Sequence, residues 1–119
     1  MKQYSSSYTF KKGIKIQYAC FGTGDRVLIC FHGFGQLADL FQPLASELEN
    51  YRVISINLFF HGESQRTSST KYLKHPEWQS IFTGLLKQES VTRFSLLGFS
   101  MGGRYAISSL LSFQNQIDR

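Results

Sequence analysis

Five residues near the C-terminal end, Gly98-Phe99-Ser100-Met101-Gly102, have the types and spacing for nucleophilic chemistry. A serine that attacks a carbonyl must project from a strained turn, and small residues two before and two after it keep neighbouring backbone clear. Gly98 and Gly102 supply that room. Leu96-Leu97 leads into the turn and Gly103-Arg104-Tyr105-Ala106 follows it, so the stretch reads as strand, sharp turn and helix with Ser100 at the apex. That geometry sets the Met101 N–H at a helix start, where unpaired donors and the positive end of the helix dipole can face a developing oxyanion. An ordinary strand-to-helix turn that binds an anion uses the same residue types. Context separates the two: Phe94 to Leu97 suit a buried strand, and Ala106, Ile107, Leu110, Leu111 and Phe113 suit one face of a helix.

A second candidate, His32-Gly33-Phe34-Gly35, follows the apolar run 27–31. Glycines at the carboxyl end of a strand let the backbone turn and expose N–H groups, as ligand-binding loops of open α/β sheets do. His32 itself reads as a residue held by hydrogen bonds to its neighbours. No His or Cys pair has ligand spacing, so neither a metal nor a cofactor is expected. The two cysteines, Cys20 and Cys30, make no disulfide framework, and Cys30 lies within an apolar run, which predicts a buried free thiol and a reducing compartment. Met1 to Ser7 are followed by no long apolar stretch, so neither a signal peptide nor a membrane contact is expected and the default location is the cytoplasm. The net charge of +5 is spread along the chain with only Lys11 and Lys12 adjacent, which argues for a solvated surface and against a nucleic-acid partner.

The elements that must position these residues follow from hydrophobic period. At 119 residues the chain is one domain at most. Residues 3–10 and 14–20 alternate on either side of Lys11-Lys12-Gly13 and predict two strands joined by a tight turn. Residues 27–31 are apolar without alternation, as in a strand covered on both faces. Residues 37–50 carry Leu40, Leu44 and Leu48 on one helical stripe, with Pro43 marking the first turn of a shorter helix. A β-branched strand at 51–57 and a polar loop at 58–70 come next. A helix at 76–88 with Trp78, Ile81, Phe82, Leu85 and Leu86 at core spacing leads to a strand at 91–98. Strands alternating with helices predict an α/β fold with a mainly parallel sheet, flanking helices and an antiparallel first hairpin.

In this order the motifs resemble the α/β-hydrolase family: a strand ending in His32-Gly33-Phe34-Gly35, a strand followed by Asn57-Leu58-Phe59-Phe60-His61-Gly62-Glu63-Ser64, and the elbow at Ser100. The resemblance covers nearly the entire chain and implies that residues 1–119 are a single partial domain, the N-terminal half of a hydrolase catalytic domain. It implies that Ser100 is the nucleophile, that the Phe34 and Met101 N–H groups form the oxyanion hole, and that Phe34 and Phe99 flank the substrate's acyl group. His61 is similar to the family's structural histidine. The implied activity is that of a serine hydrolase acting on a carboxylic ester or related small acyl compound through an acyl-enzyme on Ser100. Arg104 after Ser100-Met101-Gly102-Gly103 also resembles the menaquinone-pathway lyase branch, so the alternatives are a lyase or carbon–carbon bond hydrolase, and a non-catalytic ligand-binding relative.

The chain departs from the family pattern in two ways. Asn57 stands where the family's second loop usually begins with aspartate, and Phe60 stands where it has glycine before the histidine, changes expected to alter that loop at the edge of the site. The family's triad acid and histidine also follow the nucleophile, whereas residues 101–119 hold no histidine and one carboxylate, Asp118. A serine hydroxyl without an adjacent base is a poor nucleophile. The base and acid are therefore expected from a further C-terminal segment, and the fragment alone is expected to be inactive. The strand bearing Ser100 would lie at a sheet edge with apolar surface beside it, so the expected partner is a complementing C-terminal segment or a second copy.

Overall fold

A computed structural model describes residues 2–67 and 72–118 of the chain. Its first strands, β1 (Gln3–Lys11) and β2 (Ile14–Phe21), form the expected antiparallel hairpin. Strand β3 (Arg26–Phe31) is followed by a 3-10 turn (Ala38–Phe41) and a short helix, α1 (Gln42–Glu47). Then come β4 (Tyr51–Ile56), a two-residue β5 (Gln65–Arg66), α2 (His75–Gln88), β6 (Ser95–Gly98) and α3 (Gly102–Ser112). The sheet order is β1-β2-β4-β3-β6, with β5 also paired to β2. It is a mixed sheet: β4, β3 and β6 run parallel, and the hairpin joins β4 antiparallel through β2.

The unalternating run in β3 is explained by two covered faces. Ile29 and Phe31 point with Ile54 and Ile56 of β4 into a large cluster beneath α2, which also takes Ile14, Ile16 and Tyr18 from the hairpin. Cys30 points with Val53 into a smaller cluster beneath Phe41 and Ala45. Both cysteines are buried and free, and burial pushes the Cys30 thiol up to about 12. The large cluster is aromatic: Trp78 and Phe82 stack with ring centroids 5.4 Å apart, and Phe82 meets Phe94 and Phe113 edge-on. All five α2 residues expected in the core are buried.

Elsewhere the elements differ from the sequence reading. Pro43 does sit in the first turn of a short helix. However, the helix expected over 37–50 is split, and Leu40 and Leu44 face outward while Ala38, Phe41 and Ala45 face the sheet. The 3-10 turn sets the phase differently from one continuous helix, so the leucine stripe is not the covered one. The strand expected over 91–98 is confined to β6; Phe94 makes only an isolated parallel bridge to Ile117. The loop expected over 58–70 contains β5, and its residues 68–70 lie outside the described residues. The apolar face expected on α3 is turned outward: Ile107, Leu110 and Leu111 are exposed, and of that set Phe113 alone is fully buried. Among the described residues, no helix is long and apolar enough to cross a membrane.

Candidate active site

Because β4, β3 and β6 are parallel and in register at Ile56, Phe31 and Gly98, the loops that follow them leave the sheet at one edge. These loops carry His61, Phe34 and Ser100, the three motifs of the sequence. The chain leaves β6 by one further ladder bond, Phe99 N–H to Phe31 O at 3.0 Å, and then turns sharply. Ser100 sits at the apex with φ 55°, a left-handed conformation that costs a non-glycine residue about 1–2 kcal/mol. Its side chain is exposed, and its hydroxyl makes no hydrogen bond among the described residues.

The two flanking glycines are required by space. A Cβ at Gly98 would lie 2.7 Å from Gly103 Cα and 2.9 Å from Ala106 Cβ, so the strand could not pass the first turn of α3. A Cβ at Gly102 would fall on the Phe31 and His32 carbonyl oxygens, so the elbow could not press against the end of β3. The helix then begins through Gly102 N–H to Phe99 O and Gly103 N–H to Ser100 O, each 2.9 Å. The Met101 amide, one position earlier, donates to no acceptor among the described residues.

The facing loop, residues 32–36, is folded back on itself. Gly33 N–H donates to Gln36 Oε1 at 2.8 Å, Gln36 N–H donates to Gly33 O at 3.2 Å, and the Phe99 ring lies over Gly33. Phe34 is 83% exposed, and its amide, like that of Met101, has no acceptor among the described residues. Phe99 is also exposed.

The histidines account for this loop's shape. His32 is buried; its Nε2 accepts the Leu58 N–H at 2.9 Å and its Nδ1–H donates to Gly33 O at 2.7 Å, so it is held by its neighbours as expected. Burial pushes its pKa below the usual imidazole value; the neighbouring His61 adds to that, while the Gly33 carbonyl opposes it. His61 repeats the pattern: Nε2 accepts the Gly35 N–H at 2.9 Å, and Nδ1 lies 3.1 Å from Phe59 O. Its ring meets that of His32 at 4.8 Å and that of Phe34 at 5.9 Å, both edge-on. His61 thus ties the loop after β4 to the loop after β3. His75 is engaged as well, with Nδ1 2.6 Å from Ser108 Oγ and Nε2 2.7 Å from Ser112 Oγ. Every histidine therefore has both ring nitrogens occupied.

Sequence reasoning did not find the lattice that holds the His61 loop. Asn57 Oδ1 accepts the Ala38 N–H at 2.7 Å, and its Nδ2 donates to Gln17 Oε1 at 2.8 Å. The same Gln17 oxygen accepts the Glu63 N–H at 2.9 Å, while Gln17 Nε2 donates to Glu63 Oε2 at 3.0 Å. An aspartate at position 57 could not donate to Gln17 unless protonated, so Asn57 is matched to a β2 glutamine far away in sequence. The second departure has a backbone consequence. His61 N–H closes a turn on Leu58 O, and Phe60 occupies the third position of that turn with φ 68°, a place that favours glycine.

A groove of about 520 Å³ lies between the start of α2 and the outer side of α3. Lys74, Trp78, Arg104, Tyr105 and Leu111 line it. Tyr105, stacked on Phe31, has its hydroxyl pushed up to about 12 by burial.

Residues 26–119 match the family model described as the alpha/beta hydrolase fold. Lipase 1 of Psychrobacter immobilis is 28% identical over 112 residues, covering 93% of this chain and 35% of that protein. A putative 2-succinyl-6-hydroxy-2,4-cyclohexadiene-1-carboxylate synthase of Bacillus subtilis is 26% identical over 110 residues, covering 92% of this chain and 40% of that protein. A hydrolase of Pseudomonas aeruginosa of known structure superposes with a TM-score of 0.82 at 20% identity over 97% of this chain and 43% of its own, a likeness of fold. The chain thus spans well under half the length of these relatives.

Proposed function

Since the chain belongs to the α/β-hydrolase family, we propose that it is the nucleophile-bearing part of a serine hydrolase acting on carboxylic esters or related acyl compounds. The observation that carries this reading is Ser100: a solvent-facing, unbonded hydroxyl on a left-handed apex, next to a Met101 amide that has no acceptor and across from a Phe34 amide in the same state. In the proposed reaction Ser100 Oγ bonds to the acyl carbon as its proton passes to a base, and the leaving group departs with a proton returned from that base. Water then releases the acid by the same steps in reverse roles. The two amides hold the oxyanion, each worth on the order of 3 kcal/mol of transition-state stabilisation. Phe34 and Phe99 flank the acyl group.

The base must be a group other than His32, His61 or His75, whose ring nitrogens all have partners already. We assign it, with its carboxylate, to polypeptide outside these 119 residues, in keeping with relatives more than twice as long. A fluorophosphonate probe tests the reading on the full-length polypeptide as encoded. Labelling that disappears in Ser100→Ala supports it, and no labelling of the intact protein favours a ligand-binding relative without turnover.

A second reading is favoured by Arg104, exposed on the first turn of α3 and sharing its groove with Lys74. A groove holding two cations, one of them on the turn of α3 that follows Ser100, suits a substrate carrying carboxylates, as the name of the Bacillus relative would require. Under this lyase reading Arg104→Ala raises KM for a dicarboxylate substrate about tenfold or more and leaves neutral-ester hydrolysis unchanged.

A further inference from the structure

We propose that Phe60 is a specificity-determining residue of the same site, forming the far wall for an apolar acyl chain of medium length. The inference rests on the serine-hydrolase reading and specifies its substrate. Phe60 holds a left-handed backbone in a turn position suited to glycine, yet its ring is 78% exposed. A bulky residue kept in a strained conformation without packing in return points to a role outside stability. Its placement says which role. Phe60 follows β4, Phe34 follows β3 and Phe99 follows β6, and these three strands are neighbours whose ends are in register. Large exposed rings therefore stand on three adjacent loops at the edge that carries Ser100. The loops of Phe60 and Phe34 are joined directly, because His61 bonds the Gly35 amide and meets the Phe34 ring.

Two strand spacings, about 10 Å, separate the β6 end from the β4 end. An acetyl group on Ser100 would reach neither Phe60 nor beyond Phe34, whereas an eight-carbon acyl chain spans the distance. Apolar surface on both chain and ring supplies the affinity.

The test compares p-nitrophenyl octanoate with p-nitrophenyl acetate, using the full-length polypeptide, Phe60→Gly and Phe60→Asn; asparagine also tolerates the left-handed backbone. The expected result is a fall of about tenfold in the octanoate-to-acetate ratio of kcat/KM in both variants. Acetate turnover should stay within about twofold, and Tm should rise for Phe60→Gly. Calorimetric binding of octanoate in a Ser100→Ala background, with and without the ring, gives the same comparison independently of turnover. An unchanged ratio, equal octanoate binding or a lowered Tm for Phe60→Gly overturns the assignment, the last because it would mean the ring is packed. If the parent hydrolyses neither ester, the hydrolase reading fails, and the binding comparison still decides the role of Phe60.

Discussion

Helices α2 and α3 have similar apolar patterns and opposite fates. In α2 the stripe Trp78, Ile81, Phe82, Leu85 and Leu86 is wholly buried against the sheet. In α3 the fully buried positions are small, Gly102 and Ser109, with Tyr105 and Ala106 only partly covered, while Ile107 and Leu111 are 61% and 63% exposed. The cause is proximity. The elbow forces α3 so close to the end of β3 that only glycine fits at 102, and Ser109 fits beneath Trp78, accepting its Nε1–H at 2.9 Å. Where α3 is pressed this tightly its covered positions stay small, and Tyr105 alone sends a large ring inward, onto Phe31 and Trp78. Amphipathic spacing thus reports that a helix has a covered side, without saying which side meets its own sheet.

The strongest way to break this contrast is at the α2 aromatic cluster. Phe82→Ala removes a ring that contacts Phe31, Trp78, Phe94 and Phe113. It should lower unfolding free energy by about 3–5 kcal/mol in urea titration. A loss below about 1 kcal/mol would mean that the cluster is loosely packed and that the two helices differ less than their burial implies.

The same contrast separates what was legible in the sequence from what was not. Long-range periodicity identified the hairpin face of Ile14, Ile16, Tyr18 and Cys20, the two-faced burial of β3 and the α2 stripe, because each follows from one element packing on a continuous sheet. The order of three loop motifs indicated that Phe34 and Ser100 would share an edge, because parallel strands bring the loops at their carboxyl ends together. Sequence could not expose the phase of the 3-10 turn before α1, which turned Leu40 outward, or the facing of α3, which depends on steric closeness. Nor could it reveal the pairing of Asn57 with Gln17, since that match joins residues 40 apart through a single amide orientation.

A titratable group sharpens the comparison on its packed side. His32 is buried neutral, with Nε2 accepting an amide, so protonation sets one N–H against another. Its folded pKa is depressed, so the unfolded chain binds the proton more readily. The stabilising contribution is complete above about pH 6.5 and is lost as pH falls below that value toward the depressed folded pKa. Stability should fall by up to about 1.4 kcal/mol per pH unit in this window, and His32→Gln should flatten the slope. An equal slope in both proteins assigns the effect to other groups. His75, on the α3 flank, gives the smaller counterpart: His75→Ala gives up its bonds to Ser108 and Ser112 and should cost about 0.5–1 kcal/mol at pH 7.5.

The smallest effect is expected on the exposed stripe itself. Leu111→Ser removes an apolar side chain that is mostly in water, so in the 119-residue chain its unfolding free energy should change by no more than about 0.5 kcal/mol. Its effect on association should be larger, because the exposed stripe Ile107, Leu110 and Leu111 lies on the flank next to β6, the open edge of the sheet. Sedimentation of the parent and of an Ile107→Ser, Leu111→Ser double variant distinguishes the possibilities. A shift toward monomer without loss of stability would mean that the stripe is a surface awaiting cover. In a longer polypeptide that supplies the cover, the same substitutions should instead cost about 1–3 kcal/mol each, because burial then depends on them. Identical costs in the short and the long chain would show that nothing docks on α3, and the open flank would belong to the native surface.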